Sequence, residues 1–127
     1  MNLTFNEEIF KNCRNKEQYF QYIEELVWLG REVQDNGIMA FESEKWQNVT
    51  AYEREAIDLL CEGGPPNRLE FMLTNLLNTS DFTEDEYIKA VLFRVFVIFL
   101  QPGGISETEM KKLLLSHFGI QEYYNRI

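Results

Sequence analysis

Acidic side chains dominate the residues that could do chemistry. Carboxylates cluster at Glu7-Glu8, Glu24-Glu25, Glu42 with Glu44, and Glu84-Asp85-Glu86. Two carboxyls converging on one point could bind a divalent cation or divide general-acid and general-base work. Adjacent helical residues point roughly 100° apart, however, so these pairs do not converge unaided. Glu84, Asp85 and Glu86 fall in the first turn of a predicted helix, where negative charge is stabilising anyway. His117 is the only histidine, at the end of the last long helix, where a cation suits the macrodipole. Cys13 and Cys61 are the only cysteines, 48 positions apart and without metal-ligand spacing. A structural zinc site needs four ligands, and these three side chains cannot supply it. Both cysteines read as reduced core thiols of a cytosolic protein rather than a disulfide. No phosphate-binding Gly-rich loop, nucleophile elbow or Glu-x-x-His pair is present. No cofactor, metal or catalytic group is expected, and the chain reads as something other than an enzyme.

Two tryptophans carry more information. Trp28 shares a helix face with Gln21, Glu24, Glu25, Arg31 and Glu32, opposite an apolar stripe. A tryptophan framed by charge is a contact anchor. Trp46 falls in a row with Met39, Glu42 and Ser43, read as a half-buried seam or a binding face. Trp28, Arg31, Glu42 and Trp46 are the candidate partner-binding residues. The 127 residues carry 12 Lys and Arg against 21 Asp and Glu, a net charge of −9. That balance argues against nucleic acid, which needs a basic stripe. Residues 1–63 hold 13 acids and 6 bases, residues 64–127 only 8 and 6, so the N-terminal half is the expected docking face for a basic protein partner.

The elements that must position these residues are all helical. Apolar spacing near 3.6 recurs along the chain, without sustained alternation. Thr4 and Glu7 predict a capping box for a short first helix ending near Cys13. A second helix spans Lys16 to Asn36, closed by Gly37 in the left-handed region, with Tyr19, Ile23, Leu26, Val27, Gly30 and Val33 inward. A third is predicted over Met39 to Asn48. Boxes at Thr50/Glu53, Thr83/Glu86 and Ser106/Glu109 start three more, and Pro65-Pro66 starts another. The stretch Tyr87 to Leu100 is apolar on nearly all sides, as the central helix of a bundle would be. Its 14 residues span about 21 Å, short of the roughly 30 Å hydrocarbon core, and the N-terminus does not read as a secretory signal. The prediction is one all-α domain over 1–127, a compact bundle of six or seven helices, cytoplasmic and not inserted in a membrane.

The string Arg31-Glu32-Val33-Gln34-Asp35-Asn36-Gly37-Ile38-Met39-Ala40-Phe41-Glu42 resembles the cytoplasmic segment of flagellar stator proteins of the MotA/TolQ/ExbB type. Gly37 to Glu42 matches that family's glycine-to-glutamate string, and Ala56 to Gly63 with Asn67 to Leu77 look like its following helix pair. The resemblance covers about residues 20–78 and implies a docking module. Glu42 matches the family's glutamate, whereas its rotor-contacting arginine position is Gln34, with Arg31 one turn earlier. The family's membrane spans have no counterpart, which implies that this chain does not itself conduct ions. Phe96 to Phe118 instead looks like the second half of TerB-like tellurite-resistance bundles, the alternative reading. Their turn aspartate is replaced here by Pro102 or Gly103, so no metal site carries over.

Overall fold

A computed structural model describes residues 5–127. Seven α-helices follow in order: α1 (Glu7–Asn12), α2 (Lys16–Asn36), α3 (Ala51–Glu62), α4 (Pro66–Thr79), α5 (Glu84–Leu100), α6 (Glu107–Leu115) and α7 (Ile120–Arg126). No strand occurs among the described residues. The all-α bundle expected from periodicity is therefore the architecture found.

Local chemistry accounts for most of the helix starts. Thr50 and Glu53 close a reciprocal capping box on α3, and Thr83 and Glu86 close another on α5. At α6 only half of the expected box forms, Ser106 accepting from the Glu109 amide. The predicted Thr4 cap lies outside the described residues; α1 is capped by Asn6, whose side chain accepts from the Glu8 amide. Pro66 occupies the first turn of α4, where its missing N–H is no loss.

α5 is the axis of the bundle and touches α1, α2, α3, α4 and α6. Ile88, Leu92 and Phe96, but also Val91, Phe93 and Val97, are buried, so the helix has core on every side past its first turn. Its approach to α2 is close. A Cβ on Gly30 would meet Phe96 Cε1 at 3.2 Å, which explains a glycine in the inward stripe of α2. Val33 is only partly buried at the end of that stripe. Across the bundle Tyr52 of α3 donates its hydroxyl to the Leu73 carbonyl of α4 at 2.9 Å.

Two segments differ from expectation. The predicted third α-helix is instead a pair of 3-10 helices, Gly37–Glu42 and Glu44–Trp46, broken at an extended Ser43 (φ −60°, ψ 150°). Phe41 and Trp46 are both buried. A continuous α-helix would separate residues five apart by about 140°, so the break lets both reach the core. The second difference is α7, which no cap residue announces because Gly119 (φ 93°) precedes it. Arg126 fastens it to the bundle: its guanidinium reaches Glu17 of α2 at 2.9 Å and Glu122 at 3.1 Å, and lies 3.7 Å over the Phe20 ring.

Candidate interaction surface

The outer ridge of α2 is left uncovered because the helix gives its other side to α5 and α6. Trp28 stands on that ridge at 56% exposure. Charged residues one turn away tie its surroundings to neighbouring elements. Glu24 meets Lys111 of α6 at 2.9 Å, and Glu25 meets Lys45 of the 3-10 segment at 3.0 Å. Arg31 contacts Asp35 at 3.6 Å and Glu107 at 3.3 Å. These pairs are solvated, worth roughly 0–1 kcal/mol each. Their effect is to order both flanks of an exposed indole.

After Gly37 the chain folds back against α2. Ile38 and Met39 project into solvent from this return strap, Met39 at 68% exposure. Glu42 is exposed on the same strap and makes no ion pair among the described residues. The structure thus places Trp28 and Arg31 on one ridge and Glu42 on the segment that follows α2, which is tied back to that helix through Lys45 and Glu25.

Trp46 is a correction. It is 3% exposed and packs on Phe93 of α5 with ring centroids 6.2 Å apart. The expectation that it shares a face with Met39 and Glu42 assumed α-helical spacing, which the 3-10 segment does not have. Cys61 is a correction too: it is exposed on α3, whereas Cys13 is buried and directs its thiol to the Phe10 carbonyl at 3.2 Å. Neither forms a disulfide. His117 also departs from the expected cation. Its ring lies 4.9 Å from Phe5 and 5.4 Å from Phe10, Nδ1 is 2.8 Å from the Leu114 carbonyl oxygen, and burial holds its pKa below the ordinary value. Desolvation outweighs the helix end.

Two buried polar arrangements have no local sequence signal. Tyr22 donates its hydroxyl to Glu53 Oε2 at 2.6 Å, while Glu53 Oε1 accepts from the Thr50 amide at 3.0 Å and its hydroxyl at 2.9 Å. Burial and the adjacent carboxylate push the Tyr22 hydroxyl well above its ordinary pKa. Both oxygens of Glu53 are occupied in joining α2 to α3, which suits a clasp better than an acid–base pair. The capping signal revealed Glu53, but nothing local pairs it with Tyr22, 31 residues away. The second is Arg94, fully buried on α5 with Nη1 3.5 Å from Thr74 Oγ1 of α4.

Elsewhere the surface carries an apolar cleft of about 580 Å³ where α3, α4 and the segment leading to α5 meet. Tyr52, Met72, Leu76 and Phe82 line it, with Glu55, Asn75 and Ser80 among its polar margin. Among the described residues no three His, Cys, Asp or Glu side chains are grouped to hold a metal ion, and no helix is long and apolar enough to cross a membrane. Comparison with protein-family models, curated proteins and solved structures finds no match to this chain.

Proposed function

We propose that the chain is a non-catalytic helical interaction module that docks a basic protein partner on the outer ridge of α2 and its return strap. The observation carrying this reading is Trp28, more than half exposed on an otherwise charged ridge whose flanks are held by ion pairs to α6 and to the 3-10 segment. A large rigid aromatic in such a setting is the side chain that binding energy concentrates on. Ile38 and Met39 add exposed apolar area on the strap. Glu42 supports the stator-like version of the proposal, because the residue matching that family's glutamate is exposed and makes no ion pair among the described residues.

The test is affinity capture from the native cell extract with wild type and Trp28→Ala, at about 0.05 and about 0.5 M salt, spanning Debye lengths from above 10 Å to below 8 Å. The expected result is a specific protein partner retained by wild type at low salt, weakened at high salt, and lost with Trp28→Ala while the helical spectrum is unchanged. Equal capture by the variant would move the interface elsewhere. An unfolded variant would make Trp28 structural and end the proposal.

A further inference from the structure

α4 carries a tract whose exposed positions lack charge, while its Leu73 and Leu77 turn into the core. From Phe71 to Ser80 ten consecutive residues carry no ionisable side chain, in a chain of net charge −9. Within that tract Phe71 is 68% exposed and Leu76 38% exposed. The large cleft begins on the same helix, since Met72, Asn75 and Leu76 line it. An exposed aromatic side chain and an apolar receptor therefore sit side by side on one element.

We propose that this face is a self-association surface, on which a second copy of the chain seats its own α4 so that each Phe71 enters the other's cleft. Three considerations select a second copy over another occupant. A twofold contact requires the projecting group and its receptor to lie close together on one patch, so that the rotation exchanges them. Phe71 meets that condition through Asn75, one turn on along the same face of α4 and part of the cleft's lining. Next, like charge repels two copies of an acidic molecule at most approaches, and the charge-free tract offers one where it does not. Finally, the cleft carries Glu55 at its margin and no cationic side chain, so it repels acidic ligands, whereas a neutral face such as 71–80 meets no like charge there.

The size of the contact sets its strength. Two phenylalanines bury roughly 300–500 Å² between them, and α4 is about 21 Å long. With the part-exposed Leu76 added, the contact stays below the roughly 1,200–2,000 Å² of stable complexes. The dimer is therefore concentration-dependent rather than permanent.

Sedimentation equilibrium of the full chain, from micromolar to about millimolar concentration, tests the proposal. The expected mass rises from the 15.1 kDa of one chain towards twice that value. The rise should be larger at about 0.5 M salt than at about 0.05 M, because screening removes repulsion between the two acidic bodies. Phe71→Glu should remain at the single-chain mass throughout, with an unchanged helical spectrum, because the side chain is solvent-facing. Trp28→Ala should self-associate like wild type, which separates this surface from the docking ridge of α2. A wild-type chain that stays single at every concentration overturns the proposal, including the case in which the cleft takes up an apolar dye. So does a dimer that persists in Phe71→Glu.

Discussion

Arg94 lies between Phe93 and Val95 on α5, with its whole side chain withdrawn from water. Burial lowers its pKa, and the electrostatic influence of Tyr52, Tyr87 and Glu70 acts the other way; an arginine stays cationic near neutral pH under such conditions. Truncation would leave a cavity and strip the neighbouring polar groups of their cation. Arg94→Ala should lose on the order of 3 kcal/mol in denaturant unfolding. Arg94→Met keeps much of the volume without a buried charge and should lie far closer to wild type. An alanine variant within about 0.5 kcal/mol of wild type would show the guanidinium to be dispensable. His117 yields a different residue-level expectation. Because burial among Phe5, Phe10 and the α6 end lowers its pKa in the fold, the unfolded chain binds the proton more readily. Stability from this group is complete above the unfolded value of about 6.5 and is lost as pH falls below it, towards the lower folded value. Between about pH 7.5 and pH 5.5 the melting temperature of wild type should therefore drop more than that of His117→Phe. Parallel curves would place the titration elsewhere.

At the scale of elements, the return strap decides what α2 can present. Gly37 ends α2 at φ 73° and ψ −164°, its amide donating to the Val33 carbonyl. The φ is positive as expected, but the extended ψ differs from the left-handed helical region and is open essentially to glycine alone. Nothing lies within 4 Å of a Cβ built there, so strain rather than collision opposes substitution. Gly37→Val should destabilise by about 1–3 kcal/mol, and the strap carrying Ile38, Met39 and Glu42 should become more protease-sensitive. An unchanged unfolding midpoint would mean that the turn can be made another way. α7 works oppositely, since its own sequence has little helical drive at seven residues. Arg126, held by two carboxylates and the Phe20 ring, supplies the attachment.

The whole molecule combines a net charge of −9 with apolar groups that remain uncovered on separate elements: Trp28 on α2, Phe71 on α4, and Ile120 with Tyr124 on α7. Like charge repels copies of such a molecule at long range, and both proposed surfaces place association at local apolar sites. The two proposed surfaces consequently respond to salt with opposite signs. Capture of a basic partner through α2 weakens as salt is raised, because attraction is screened. Pairing through α4 strengthens, because repulsion is screened. Measuring both on one preparation distinguishes them without any substitution, and a common sign would be inconsistent with one of the two assignments.

The starts of α3, α4 and α5 were legible because their causes are local. Thr50 with Glu53, Thr83 with Glu86, and proline in the first turn of α4 act within one turn of chain, and the apolar periods of α2 and α5 report directly which faces seek a core. The all-α class and the central position of α5 follow from those signals. Exposure has a different origin. Trp28 and Trp46 both sat among charged neighbours in the sequence, yet one is solvated and the other packs on Phe93. Only the three-dimensional path of the strap between α2 and α3 separates them. Likewise the Tyr22–Glu53 bond spans 31 residues, Arg126 meets Glu17 across 109, and the cleft joins side chains of α3, α4 and the approach to α5. Periodicity states how a helix divides its own circumference. Which helix, if any, covers a given face depends on packing among all the others, and that is a property of the assembled bundle.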